Sequence, residues 1–430
     1  MQRKSPGNHR IMDHLMLRSK LDALQCHYTW DLDSCRSRLF HLRDQLEDIG
    51  TEEGYSWLGH IYNLQGFVYH RLGLVREALR FLRMATEAFR QMRNTVSDEG
   101  PWLVVNYGNL AWMHHDLGEQ AESAAYLTKV DTLMSDHPSP SPDSLHPEIC
   151  AEKAWSLMKF STEKKLQAVD LFQKALRMQP HMVEWQSSYV LVLENTSEHH
   201  HQSQHILEKM RVAREHDPEN LYLAAVYLET RAQERVKIGE EARELASRVL
   251  RKPISSYSGL EPILRLYRNY ISMDEAIDLA EEALERHPDN RYLKKCAAVC
   301  YKIKIFSQSD NPLLHSMMKR AISLHEEVVS LYPHSSLRTL ITLTNLYARS
   351  NQSIKADHIF EKLINSEQEP EEAQMLCNRY ARHLLSSLRD SQALKYHMKA
   401  AVIPIQSVYR QDSLRYLDKI REKNSGDALL

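Results

Sequence analysis

Small and apolar residues return along this chain at steps of three and four, break at a turn, and resume. One copy carries Gly66, Tyr69, Gly73, Ala78, Leu82 and Ala85; the next carries Ala111, His114, Gly118, Leu127 and Val130. A third runs through Ala168, Phe172 and Ala175 to Pro180, and a later one through Ala276, Ala280 and Ala283 to Pro288. Steps of three and four place side chains on one helix face, so each copy predicts a helix, a turn and a second helix. The prolines keep the interval: Pro180, Pro218, Pro253, Pro288 and Pro333 lie 38, 35, 35 and 45 residues apart. Proline cannot continue a helix, and four of these five follow a run that reads as a second helix, whereas 219–253 is less regular.

Helix pairs repeating at 35 to 45 residues follow the tetratricopeptide pattern. The predicted fold is all-α: a right-handed superhelical tetratricopeptide-repeat solenoid with N-terminal helical elements, curled around a central groove or tunnel. Leu21, Leu24 and Cys26, then Leu39, Leu42 and Leu46, extend helical spacing through residues 11–50. Further repeats fit Tyr347, Ala356 and Phe360, then Ala381, Ala393 and Ala400, with a capping helix over 406–423. The polar stretches 197–205 and 306–312 read as a widened turn and an inserted loop. Four of the 15 prolines fall between Ser135 and Pro147, which cannot be regular helix. The expected organisation is therefore an N-terminal helical subdomain over 1–134 and a linker over 135–148. A central repeat subdomain over 149–305 and a C-terminal one with its capping helix over 306–430 would follow.

Composition narrows the chemistry. Only 12 glycines occur, below the usual share of about 7%, which argues against phosphate loops and dinucleotide folds. The six cysteines are scattered, so reduced thiols in a cytoplasmic protein are the expectation, with Cys296 and Cys300 packing rather than binding metal. No apolar run reaches the roughly 18 to 20 residues a membrane span needs, and the basic N-terminus lacks the apolar segment of a signal peptide. His199, His200, His201 and His205 read as a polar loop, since no carboxylate or cysteine stands nearby at ligand spacing. No catalytic motif appears, so the expectation is a binding protein without a cofactor rather than an enzyme. With a net charge of −2, any nucleic-acid surface must be a local gathering of Lys and Arg.

Four segments lie outside the general repeat pattern: Cys26 to Trp30 with Asp31 and Leu32, Tyr62 to Leu64, Tyr107 to Trp112, and Glu152 to Lys159. In this order they resemble the interferon-induced proteins with tetratricopeptide repeats, a likeness running from about residue 11 to about residue 400. The resemblance implies an antiviral protein of innate immunity. Its positively lined tunnel would take the 5′ end of foreign RNA, triphosphate-bearing or capped without ribose 2′-O-methylation, and keep it from translation. Some members act instead through family partners and host proteins. The resemblance matches Trp155 to the cap-stacking tryptophan, Lys159 to a phosphate-binding lysine and Glu184 to the glutamate on the guanine edge. It matches Leu191 to an apolar wall, Asn220 and Tyr222 to positions beside the cap and first nucleotides, and Gln45 to a triphosphate contact. Tyr267 and Arg268 match an aromatic–basic segment.

Trp155 and Lys159 stand four apart, which on a helix would put an indole beside an ammonium, a stacking face next to a phosphate partner. The plainer readings are a core tryptophan, a solvated Glu184 and an Asn220 that caps its helix. Several contact positions of the resemblance are altered: His41, Asn195 and Glu261 stand where arginines are expected, Lys165 where a tyrosine is, and Lys295 and Cys296 where a histidine–glutamine pair is. Arg38 and Arg43 lie close enough to replace the arginine missing at His41. The loss bears most on uncapped triphosphate. Arg76, Arg80, Arg83 and Arg90 read as a solvated stripe on a second helix. Arg410, Arg415, Lys419, Arg421 and Lys423 could gather RNA or keep the last helix solvated. Two functions stay open: an RNA-end binder, for which a basic groove ending at Trp155 would speak, and a protein-interaction scaffold with a neutral groove. Oligomers with itself or with family members fit either.

Overall fold

The computed structural model describes residues 15–32, 35–50, 56–92, 99–141, 144–196, 203–307 and 314–427, and their regular structure is helical throughout. The chain divides into two compact units, residues 1–276 and 277–430. In the first, a helical stretch over 15–22 leads into a buried turn and then α1 (Arg36–Ile49). Helix pairs follow: α2 (Leu58–Arg71) with α3 (Val75–Met92), α4 (Val104–Asp116) with α5 (Gln120–Asp136), and α6 (Pro147–Leu157) with α7 (Thr162–Met178). Then come α8 (Val183–Thr196) with α9 (Ser203–His216), α10 (Leu221–Gln233) with α11 (Gly239–Arg251), and α12 (Leu260–Leu266), which ends in a π turn (Tyr267–Ile271); α13 (Met273–Arg286) follows, and the division between the units falls within it.

The second unit repeats the scheme with α14 (Arg291–Ser307) and α15 (Leu314–Leu331), α16 (Leu337–Arg349) and α17 (Ser353–Ile364), and α18 (Pro370–Ser386) and α19 (Asp390–Val402). The last helix, α20 (Val408–Asp427), covers the segment read as a cap. All five repeat prolines follow the second helix of a pair: α7, α9, α11, α13 and α15. The stretch 219–253 is as regular as its neighbours. Its first helix, α10, buries Leu221, Leu223, Ala224, Ala225, Val226 and Leu228, so apolar residues surround it and blur the one-sided pattern.

The small residues of the pattern sit where second helices press against first ones. Ala168, Phe172 and Ala175 of α7 are fully buried, and so are Ala276, Ala280 and Ala283. The turn between paired helices also recurs. Gly73 and Gly118, two residues past the ends of α2 and α4, have φ of 84° and 78°, a left-handed position that glycine adopts without steric cost. Asn351 and Leu388 hold the same place after α16 and α18 without glycine, at φ of 58° and 55°. Between α5 and α6 the described residues carry no helix, and α6 opens on Pro147 with His146 Nδ1 accepting from the Glu148 amide.

The four distinctive segments meet inside the first unit. Asn63 of α2 donates to the Glu152 carboxylate at 2.8 Å, and Asn106 of α4 donates to Asn63 at 2.7 Å. The His27 ring lies between Asn109 at 2.9 Å and Ser156 at 2.9 Å. All of these side chains are buried. Burial pushes the Glu152 carboxyl up to about 8 and the His27 imidazole down to about 3, so both are chiefly neutral at pH 7. Buried polar groups demand partners, and these segments supply each other's. The resemblance was therefore carried largely by a structural lock joining the turn at residue 27 to α2, α4 and α6.

Candidate functional site

A cavity of about 530 Å³ opens in the first unit, walled by α8, the start of α10, the end of α6 and the segment 252–258. Six residues singled out in the sequence line it: Trp155, Lys159, Glu184, Leu191, Asn220 and Tyr222. Glu184 and Leu191, seven apart on α8, share a face as their spacing predicts. Asn220 does cap α10, its Oδ1 accepting from the Leu223 amide at 2.9 Å, while its Nδ2 donates to Asp217 at 2.9 Å. Capping thus leaves it on the cavity wall. The Tyr222 phenol is pushed up to about 12, chiefly by burial.

Trp155 is core and wall at once. Only 1% of it is exposed, and one face stacks on Trp57 at 5.7 Å and 19°. On Lys159 the sequence reading needs correction. Helix α6 ends at Leu157, and the Lys159 amide bonds back to Ser156 O in a turn, so the two residues do not share one helix. The pairing survives by another route: the Lys159 ammonium folds back to 4.7 Å from the Trp155 ring. The same ammonium lies 5.0 Å from the Tyr257 ring and donates to its hydroxyl at 2.5 Å. Burial pushes Lys159 down to about 7 and the Tyr257 phenol well up. Among the described residues no carboxylate pairs with Lys159.

Tyr257 was not anticipated. It sits between α11 and α12 in a stretch of serines, where nothing in the local pattern marks it. Trp57, at the N-cap of α2, was likewise missed because it lies beside a break in the helical spacing.

The rest of the cavity wall is balanced in charge. Lys159, Lys165, Lys252 and Arg265 face Glu184, Glu194, Asp217 and Glu219. Lys252 bonds Glu219 at 2.6 Å. Arg265 grips Glu229 through two nitrogens at 2.7 Å each and reaches Glu261 at 3.0 Å. Two altered positions compensate each other: Lys165 donates to Asn195 at 2.6 Å. Glu261, standing where the resemblance expects an arginine, also pairs with Arg268 at 3.5 Å. The Glu184 carboxylate has no hydrogen bond or ion pair among the described residues.

Three sequence candidates lie off this cavity. Gln45 is exposed on α1, its amide 3.0 Å from His41. Arg43, a proposed substitute nearby, is held by Asp44 at 2.8 Å; Arg38 is exposed. Tyr267 is buried in the π turn, and Arg268 beside it is only 6% exposed. Elsewhere, Arg76, Arg80 and Arg83 are exposed on α3, and Arg90 bonds Glu99 at 3.2 Å. Cys296 and Cys300 are buried in α14, and Lys295 lies 5.0 Å from the Tyr332 ring. On α20, Arg415, Lys419 and Arg421 are exposed, and Arg410 bonds Ala401 O at 3.0 Å; the Lys423 side chain lies outside the described residues. So do His199, His200 and His201, while His205 is exposed on α9. Among the described residues no cluster of His, Cys, Asp and Glu is grouped to hold a metal, and no helix is long and apolar enough to cross a membrane.

No family model matches the chain. Over 432 residues it is 26% identical to the human interferon-induced protein with tetratricopeptide repeats 2, covering 96% of this chain and 89% of that protein. It is also 26% identical over 436 residues to the human antiviral innate immune response effector IFIT1, covering 95% and 88%. Among solved structures it is similar to the human IFIT1 dimer with m7Gppp-AAAA, with a TM-score of 0.68 and 25% identity over 96% of this chain and 92% of that one. The human IFIT1 dimer with PPP-AAAA gives a TM-score of 0.64 and 25% identity over 95% and 92%. The likeness read from the four segments thus extends over nearly the whole chain.

Proposed function

We propose that this relative of the interferon-induced proteins with tetratricopeptide repeats is an antiviral effector that binds the 5′ end of non-self RNA and sequesters it from translation in the cytoplasm. One observation carries the reading: six side chains assigned separately along the sequence line a single cavity, and two of them, Lys159 and Glu184, are charges without an ion-pair partner there. A cap guanine would stack on Trp155, a contact worth about 1–3 kcal/mol. Glu184 would accept from the N–H groups of its edge, and Lys159 would meet the adjoining phosphates. Asn220 and Tyr222 would stand beside the first ribose, where a 2′-O-methyl group needs room. The activity is capture, without bond chemistry.

The capped end fits better than the bare triphosphate. A triphosphate carries several negative charges and would meet only two cations without a carboxylate partner among the described residues, Lys159 and Lys165, because Lys252 and Arg265 are already bound to carboxylates. A cap adds the planar base for which Trp155 and Glu184 are suited. The second reading, a scaffold for signalling proteins or for family members in homo- or hetero-oligomers, draws on the cavity's balanced charge. Binding of short RNAs that differ only at the 5′ end, followed across a salt series, separates the two. Preference for the unmethylated cap, with affinity falling as salt rises, is expected; equal affinity for every end would reject end recognition.

A further inference from the structure

The same cavity holds an occupant of its own. Two groups cover the Trp155 ring: Trp57 stacks on it at 5.7 Å, and the Lys159 ammonium stands over it at 4.7 Å. With 1% of the side chain exposed, no ring can stack there until something leaves. Stacked rings stand with centroids about 4.5–7 Å apart, and the ammonium lies 4.7 Å from the Trp155 centroid, inside the space a base would take. Tyr257 closes the far side, with the ammonium 5.0 Å from its ring and bonded to its hydroxyl.

Of the two covers, Lys159 is the movable one. Trp57 is 7% exposed and wedged against His60 and Phe172, with ring centroids at 4.6 and 6.3 Å. Lys159 sits on the turn after α6 at the end of a flexible four-carbon stem. Its partners among the described residues are two aromatic rings and one neutral hydroxyl. Such contacts hold an ammonium less firmly than a phosphate would.

Resting on the RNA-end reading above, we propose that Lys159 is the latch of a base slot between Trp155 and Tyr257, and that a ligand opens it only by offering a phosphate to draw the ammonium away. The slot would then demand base and phosphate together. A nucleoside has the ring but nothing to move the lysine, and inorganic triphosphate has the charge but nothing to fill the space left behind. Tyr257 is the second wall, a residue that sets specificity and holds the latch shut in the empty protein. The hydroxyl that anchors the ammonium belongs to the ring that forms the second wall, so the closed state ties the latch to that wall.

Calorimetric titration of the full chain with guanosine and with the dinucleotide GpppA tests this. The unsubstituted protein binds GpppA and not measurable guanosine. In Lys159→Ala the slot stands open: guanosine affinity rises at least tenfold above that of the parent, while GpppA affinity falls. Tyr257→Phe keeps the ring and removes the anchoring hydroxyl, so GpppA binds several-fold tighter and guanosine becomes detectable. A lysine that merely touches phosphate gives a different pattern, with GpppA weakened in Lys159→Ala and guanosine unchanged, and that result overturns the latch. Failure of the parent to bind GpppA or capped RNA would instead reject the end-binding reading, and the guanosine arm would still report whether removing Lys159 opens an aromatic slot.

Discussion

Two cations on one cavity wall live in opposite company. Arg265 is gripped by Glu229 and Glu261 and is half-buried beside them. Lys159, deeper in the wall, meets two aromatic rings and a phenol, with no carboxylate among the described residues. The first charge is neutralised where it stands and serves the fold. The second is held where its charge is disfavoured, which is why burial brings it down to about 7. Proximity to a cavity therefore does not make a basic residue available to an anion. What counts is whether its charge has already been met.

The contrast can be broken from its aromatic end first. Trp155→Ala removes a buried indole that packs on Trp57, so it should cost about 3–5 kcal/mol of stability by chemical denaturation, beyond any effect on binding. A loss under 1 kcal/mol would mean the ring is not core. Arg265→Ala strands the buried Glu229 carboxylate and should cost about 1.5–3 kcal/mol in the same assay. Lys159→Met should do the reverse and stabilise, on the order of 1 kcal/mol. Its sign has a pH signature: the folded value near 7 lies below the unfolded value near 10.4, so stability is lost as pH falls through 7. The gain from Lys159→Met should be full at pH 6 and shrink towards pH 10. Tyr257 is the titratable group in contact with that amine, and its phenol stays protonated throughout.

Glu152, on the same helix as Trp155, gives the mirror-image control, with an effect of the same order, about 1 kcal/mol. Its folded value near 8 lies above the unfolded value near 4.3, so its stability is present below 4.3 and lost as pH rises through 8. Glu152→Gln should match the parent at pH 4 and exceed it at pH 9 in thermal unfolding. An advantage that is independent of pH would refute the buried, neutral carboxyl.

The repeat architecture was legible because it is periodic. Ala168, Phe172 and Ala175 recur at helical steps and bury completely, and the prolines mark where pairs end. The region 219–253 read less clearly because α10 is apolar on nearly every side. The site was legible in part. Trp155, Lys159, Glu184, Leu191, Asn220 and Tyr222 were named in the sequence and share one cavity. Tyr257 could not be found that way, since its role depends on a contact 98 residues from Lys159 in a segment without periodicity. The charge state of the wall was equally hidden. Arg265 and Lys159 look alike in a sequence, and only the fold brings Glu229 to one and Tyr257 to the other.

The difference between the two cations can be measured in one pair of variants. GpppA is titrated at pH 6.5 into Lys159→Met and Arg265→Met, each first shown to be folded by circular dichroism. Lys159→Met is expected to lose at least tenfold in affinity, with Arg265→Met staying within about threefold of the parent. Equal losses in the two variants, or a greater loss in Arg265→Met, would contradict that expectation.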